Sequence, residues 1–396
     1  MMENKYDFIN APDRRQTDSV KWAVQAGELP MSLADMDFKT APEIIAALKE
    51  KISLGCFGYE WPRDNYFEAV ADWYEKEHNQ RPKTEWMLFT TGVVPAISAI
   101  VRRVSQIGDN VLVQAPVYNI FYNSIENNGR HVLSSDLKFA DNEYHIDWQD
   151  LAAKLAQPLT SVMIFCNPHN PIGKVWTQAE VQHLADLCYQ HHVILLSDEI
   201  HGDLVRNGED YTPAFAVNGE SLTQVISLVS PSKTFNVAAL HAATIIVPDA
   251  NLRAQVNRGI NSDEVAEPNL LAIPGTIAAY EQGHEWRQAL LTQLRANFAY
   301  ATDFIAREIS SIQVVSGSAT YLLWLNVGQL SSNSSELAAY LRQETGLVLA
   351  SGNVYRGNGS QFLRINLACP LTMLQDGLNR LKTGINSWLT LCNTKK

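Results

Sequence analysis

Short apolar runs alternate with longer amphipathic stretches between Trp86 and His201, and no other feature narrows the fold as far. M-L-F-T (87–90), V-L-V-Q (111–114), S-V-M-I-F-C (161–166) and V-I-L-L-S-D (193–198) are continuously apolar rather than alternating. A strand of that kind is buried on both faces, which is the pattern of a parallel sheet covered by helices. Helical spacing occupies the intervals, from Pro95 to Val104, Tyr118 to Asn127 and Gln178 to Gln190. Two further runs, 225–229 and 243–247, extend the sheet. The fold class is therefore α/β, with a mainly parallel central sheet.

The flanks read differently. Residues 1–30 are polar and weakly patterned, an extended arm. M-S-L-A-D-M-D-F (31–38) reads as a short strand entering a turn, with Asp35 and Asp37 as caps for a helix starting near Pro42. Residues 64–78 place Phe67, Val70, Ala71 and Tyr74 on one helical face. After Pro274 come helices near 275–282 and 285–309, strands at 312–316 and 320–327, and a helix at 334–344. Strands near 347–350 and 362–366 and a helix at 371–389 close an α+β block. A chain of 396 residues exceeds one small core. The expected division is an arm with part of a small domain (1–45), a large domain (46–284) and a small C-terminal domain (285–396).

Composition removes several function classes. The net charge is −11 and no Lys/Arg-rich run occurs, so a basic nucleic-acid face is not expected. No apolar run approaches the ~18 residues that span a bilayer. The N-terminus, M-M-E-N-K-Y-D-F, lacks the apolar core of a signal peptide. Five scattered cysteines without a C-x-x-C pair argue against a disulfide framework or a metal site. A cytoplasmic protein is expected.

Four candidate features sit at strand ends, where α/β sheets bind ligands. T-T-G-V-V-P (90–95) joins a strand to a helix, and the free N–H groups of Val93 and Val94 beyond Gly92 suit a phosphate. An ordinary strand–helix turn with Pro near its start would look the same. C-N-P-H-N-P-I-G-K (166–174) carries two Asn-Pro steps that make a rigid turn and aim Asn170 into a cleft. S-D-E-I-H (197–201) sets Asp198 at the mouth of a buried strand, where a carboxylate needs a partner, with His201 nearby. S-P-S-K (230–233) ends another strand with Ser230, Ser232 and Lys233. A sheltered lysine suits Schiff-base chemistry, though in isolation a surface loop lysine reads slightly better. A lysine, an acid on the neighbouring strand, a phosphate turn and a rigid Asn together match the needs of pyridoxal phosphate.

At this point the chain resembles the fold-type I pyridoxal-phosphate enzymes, the class I/II aminotransferase superfamily, along nearly all its length. Within it the chain is most similar to the bacterial cystathionine beta-lyase (C–S lyase) subgroup. The resemblance rests on A-D-M-D-F (34–38), F-G-Y (57–59), G-V-V-P-A (92–96), N-P-H-N-P-I-G-K-V-W (167–176), S-D-E-I-H (197–201), S-K-T-F-N (232–236) and L-R-I-N-L-A-C-P (363–370). It implies that Lys233 holds the cofactor covalently and moves the substrate Cα proton. Asp198 would keep the ring nitrogen protonated, Asn170 would bond the ring oxygen, and Tyr118 would stack on the ring. Gly92, Val93, Val94 and Ser230 would hold the phosphate, with Ser232 and His201 completing the cofactor shell. Arg364 would grip the substrate carboxylate as a fork, beside Asn170 and Asp35. Tyr59 would reach the active site of a partner subunit, making a homodimer with shared sites.

Two positions depart from the family pattern, and a third differs by a smaller change. Many aminotransferases carry Tyr where His201 stands and Arg where His241 stands, and N-P-I-G replaces N-P-T-G. The implied reaction is β-elimination from L-cystathionine or another cysteine S-conjugate, giving a thiol, pyruvate and ammonia. An aminotransferase on the same scaffold and a regulatory binding protein that retains the enzyme fold are the alternatives.

Overall fold

In chain order, a computed structural model describes residues 5–315 and 317–394. The first four residues of the expected arm and the last of the expected strand 312–316 lie outside them. The arm ends in a two-residue strand, β1 (Leu29–Pro30), followed by helices α1 (Pro42–Ser53) and α2 (Asp64–His78). Next come β2 (Met87–Thr90), α3 (Val93–Val104), β3 (Asn110–Val113), α4 (Ile120–Glu126), β4 (His131–Ser134) and a small hairpin, β5 (Lys138–Ala140) with β6 (Glu143–His145). Then follow α5 (Trp148–Leu155), β7 (Thr160–Cys166), α6 (Gln178–Gln190), β8 (Ile194–Asp198), β9 (Val225–Val229), β10 (Ala243–Ile246), α7 (Ala250–Ser262), α8 (Ala272–Gln282) and α9 (His284–Glu308). The last part holds β11 (Gln313–Val314), β12 (Leu322–Asn326), α10 (Ser334–Thr345), β13 (Leu347–Val348), β14 (Ala350–Ser351), β15 (Phe362–Asn366) and α11 (Leu371–Thr394).

Seven strands form the central sheet in the order β2-β10-β9-β8-β7-β3-β4. It is mainly parallel, as the continuous apolar runs predict; β10 alone runs antiparallel to both neighbours. An apolar run buried on both faces has no direction, so the sequence could not reveal this reversal. The pairs Cys166–Asp198, Asp198–Leu228 and Ala243–Thr90 place the ends of β2, β7, β8 and β9 along one edge, joined there by the start of β10. A four-stranded antiparallel sheet, β11-β12-β15-β14, forms the C-terminal block, and β1 pairs in parallel with β13 beside it. No helix among the described residues is long and apolar enough to cross a membrane.

Several local expectations need correction. Residues 31–38 form no strand; only Leu29 and Pro30 are paired. Asp35 and Asp37 do not cap α1, whose N-cap is Ala41 without a side-chain bond. Pro42 opens that helix and has no N–H to satisfy. Asp37 is instead buried against Lys21 (2.6 Å), Arg14 (2.8 Å) and the Trp22 indole (2.8 Å), because a buried carboxylate needs cations and donors around it. The helix expected from Pro95 begins at Val93, since proline is tolerated in a first turn. The strand β4, the hairpin, α5 and α7 do not follow from the sequence reading.

Candidate active site

Where β9 ends, residues 231–236 fold into a turn closed by Phe235 N–H to Pro231 O (2.9 Å) and Val237 N–H to Ser232 O (3.0 Å). This turn presents Lys233, half-buried, whose Nζ donates to the Ala34 carbonyl at 2.7 Å. Burial, then the Arg364 charge, pushes the Lys233 ammonium down to about 8, against the opposing pull of Asp35 and Asp198. Asn236 closes the turn in the left-handed region at φ 56°. Its amide accepts from Met36 N–H (3.1 Å) and donates to the Met36 and Phe38 carbonyls (3.2 and 2.9 Å). The A-D-M-D-F segment is thereby pinned onto the lysine turn. Asn236 belongs to the S-K-T-F-N motif, but nothing in the sequence alone disclosed this contact.

Asp198 is the last residue of β8 and is buried. Desolvation pushes its carboxyl up to about 6, while the Ile200 N–H (3.1 Å) and the Lys233 charge hold it back. His201 is also buried, its Nδ1 without a hydrogen-bond partner, and burial with the charges of Lys233 and Arg364 drives it down to about 3. A neutral imidazole therefore faces two cations.

Arg364 lies in mid-strand on β15, opposite Trp324 and Ala350, and so is supplied by the second sheet. Its Nη1 donates to Asn170 Oδ1 and its Nη2 to the Ser32 carbonyl, both at 2.9 Å. Asn170 is held by the doubled Asn-Pro turn, where Gly173 N–H reaches His169 O (2.7 Å). Gly173 adopts φ +69°, and a Cβ there would lie 3.0 Å from the Ala319 carbonyl, so only glycine suits the place where this turn meets the C-terminal block.

Gly92 caps α3 at φ 147°, ψ 161°, a backbone region closed to other residues. The N–H groups of Val93 and Val94 open the helix with no preceding turn to accept them. Ser230 Oγ lies 2.7 Å from both Ser232 Oγ and the Ala242 carbonyl. The Tyr118 ring packs edge-on against Phe121 at 5.7 Å, and burial followed by the Asp198 charge pushes its hydroxyl up to about 12. His241 is exposed, with a left-handed backbone at φ 49°, next to Ala242.

These groups suit a flat, phosphorylated aromatic aldehyde. Thr90 Oγ1, Asn167 Oδ1, His201 Nδ1 and Arg364 Nε are buried without partners, on segments that converge at this edge. Buried polar atoms are rarely left so, and a polar ligand would satisfy them. An amine near neutrality, a buried carboxyl on the adjacent strand and a free helix N-terminus meet the needs of pyridoxal phosphate.

Two expected residues stand apart. The Asp35 carboxylate is engaged by Arg14 Nη1 at 3.2 and 3.0 Å, although its charge is felt at Lys233. Tyr59 is fully exposed, on a loop where Phe57 and Trp61 are 71% and 70% exposed. This chain does not fold it into its own site.

The sequence profile of the family "Aminotransferase class I and II" matches residues 28–381. Cystathionine beta-lyase PatB of Bacillus subtilis is 36% identical, over 96% of this chain and 100% of its own length. Protein MalY of Escherichia coli is 32% identical, over 96% of this chain and 99% of its own. A PLP-bound putative aminotransferase from Clostridium difficile superposes with a TM-score of 0.93 at 34% identity, covering 96% of this chain and 100% of that one.

Proposed function

We propose that this chain, which belongs to the class I and II aminotransferase family, is a pyridoxal-phosphate-dependent C–S β-lyase that cleaves L-cystathionine or related cysteine S-conjugates to a thiol, pyruvate and ammonia. The observation that carries the reading is the meeting of Lys233, Asp198 and Arg364 in one enclosed edge, with the lysine depressed to about 8. Lyase rather than transamination chemistry is supported by the full-length likeness to PatB.

Lys233, Asp198, Asn170, Tyr118, His201, Ser230, Ser232 and the Gly92–Val94 turn would hold the cofactor. When bound, pyridoxal phosphate supplies an electron-accepting ring conjugated to the substrate amine. Arg364 binds the substrate carboxylate and is itself oriented by Asn170 Oδ1. The depressed Lys233 amine takes the Cα proton, its neutral form being accessible near pH 7. Asp198 would keep the ring nitrogen protonated. A neutral His201 adds no third positive charge beside Lys233 and Arg364. As the Cβ–S bond breaks, the electron pair left at Cα forms a Cα=Cβ double bond and the C–S pair leaves on sulfur, which takes up a proton to become the thiol; water then hydrolyses the released enamine to pyruvate and ammonia.

The exposed Phe57, Tyr59 and Trp61 support a homodimer in which Tyr59 serves the partner's site. Five unpaired cysteines support a cytoplasmic setting. Incubating the holoenzyme with L-cystathionine and no added keto acid should release pyruvate and homocysteine in equal amounts. Turnover that depends on a keto acid would overturn the lyase reading in favour of an aminotransferase.

A further inference from the structure

Asp203 is as buried as Asp198, at 4% exposure each, and has no part in the chemistry above. Its Oδ1 accepts from the Trp73 indole (2.9 Å) and lies 2.8 Å from His78 Nε2, both on α2. Its Oδ2 accepts from the hydroxyl of Thr234 at 3.2 Å. Its backbone carbonyl accepts from Arg287 Nε of α9 at 2.8 Å, and Arg287 Nη1 also binds Glu77 at 2.7 Å. Burial works against the Asp203 charge, but His78, Arg287 and Trp73 overcome it and hold the carboxyl below its ordinary range. Asp198, with a weaker set of partners, is raised.

Thr234 is fully buried and immediately follows Lys233. The lysine turn is tied at one end by Ser230 and Ser232, and at the other by Asn236. Among the described residues, Thr234 supplies its polar contact toward the interior, beside Phe235, which packs on Trp73 at 5.6 Å. Beyond His78 opens a cavity of about 430 Å³, lined by His78, Glu77 and Arg287 among others. The far side of His78 is thus not closed by packing, whereas Thr234 is enclosed and Phe235 also packs on Trp286 at 5.7 Å, so the Thr234–Asp203 hydrogen bond adds a polar anchor to a packed turn.

We propose that Asp203 is a positioning residue: through the Thr234 hydroxyl it fixes the turn that aims the Lys233 amine, while α2 and α9 hold Asp203 in turn. The inference rests on the reading of Lys233 as the cofactor-bound, proton-transferring lysine. The Ala34 carbonyl holds the tip of the lysine and the turn sets where its stem starts, so loss of the anchor should act on proton transfer rather than on substrate affinity.

The test uses holoenzyme carrying Thr234→Val, which keeps the branched shape and loses the hydroxyl, Thr234→Ser, which keeps the hydroxyl, and Asp203→Asn. For each, kcat, KM, thermal midpoint and the pH midpoint of the bound cofactor's absorbance are measured. T234V should lower kcat roughly tenfold or more with KM changed by less than about twofold. It should also shift the absorbance midpoint. T234S should restore both readouts, and D203N should act like T234V or more strongly. Wild-type kcat and midpoint in T234V, or no rescue by T234S, would overturn the proposal. If T234V does not fold, a wild-type midpoint in D203N overturns it and a shifted one supports it. The absorbance arm needs no thioether turnover, so absence of lyase activity in the native enzyme would sink the functional reading and leave this one decided by the midpoint.

Discussion

The lysine turn and the loop from Leu54 to Trp61 break opposite rules of burial. In the first, a lysine, an aspartate, a histidine and an arginine are gathered at a sheet edge with polar atoms left unpaired. In the second, Leu54, Phe57, Tyr59 and Trp61 stand 65–100% exposed. Buried charge costs stability unless a partner answers it, and clustered exposed aromatics are unusual on a solitary chain. On the function proposed above, each region awaits a partner, and the partner differs. Polar orphans in a cleft call for a small polar ligand. Apolar side chains on a projecting loop call for another protein surface.

Removing Lys233 has the largest expected effect. Lys233→Ala should abolish turnover and the absorbance of the lysine-bound cofactor, and borohydride reduction of the native holoenzyme should fix the cofactor on Lys233. A label recovered on any other lysine would show that the buried turn is structural. Asp198→Asn comes next, with kcat falling on the order of 10²–10³-fold, as loss of an electrostatic site group commonly does. The same change should raise the thermal midpoint of the cofactor-free protein near pH 7. The sign follows from linkage: the folded-state carboxyl, at about 6, lies above its unfolded value of 3.8. Folded protein therefore binds more protons in that window, and stability falls as pH rises through it. An amide in place of this carboxyl does not titrate and has no such window. A cofactor-free variant no more stable than the parent at pH 7 would therefore contradict the cost assigned to burial.

A third measurement follows Lys233 before it meets cofactor. Only the neutral amine can form the covalent link, and burial lowers its pKa to about 8. The rate at which cofactor-free protein regains the bound absorbance should rise with pH through about 8 and then level off. Continued rise toward the ordinary lysine value of 10.5 would mean that the turn shelters the amine less than its surroundings indicate.

How much of this could be read from the sequence depended on whether side chains or backbone did the work. Asp198, Asn170 and Lys233 are letters at or just beyond strand ends and Arg364 is a letter within a strand motif, and the structure brings them together. The carbonyls of Ser32 and Ala34, which meet Arg364 and Lys233, have no letter, and their segment reads in sequence as a strand that the fold does not contain. Its apolar residues, Met36 and Phe38, are buried in a cluster with Phe8, Ile44 and Trp73 rather than by pairing, while their backbone docks on Asn236. Asp203 is one more acid in sequence; only the fold brings α2, α9 and Thr234 to it. The missed helix α7 did leave a trace, since Leu252, Val256 and Ile260 recur every fourth residue and are all buried. Gly259 in its midst obscures that trace, yet a Cβ there would meet Arg103 at 2.9 Å, so close packing against α3 demands it.

The exposed loop gives the smallest expected effect. Tyr59 on its own chain contacts nothing that would explain full exposure of an aromatic ring, while the base of its loop is tied down by Lys51 and Glu60 at 2.8 Å. If the loop completes a neighbour's site, Lys233→Ala and Tyr59→Ala subunits, each impaired alone, are defective in different halves of a shared site. A heterodimer then holds one site with both defects and one with neither. Equal mixing with free exchange gives about half heterodimers, so activity should return to roughly a quarter of the native value, by the arithmetic of a two-fold assembly. The check is pyruvate release from L-cystathionine after mixing, with subunit exchange followed separately by mass-tagged chains. Exchange without recovery would show that Tyr59 acts only on its own chain, and the comparison would lose its second half: the aromatic loop would be a surface feature, and the buried edge alone would carry the site.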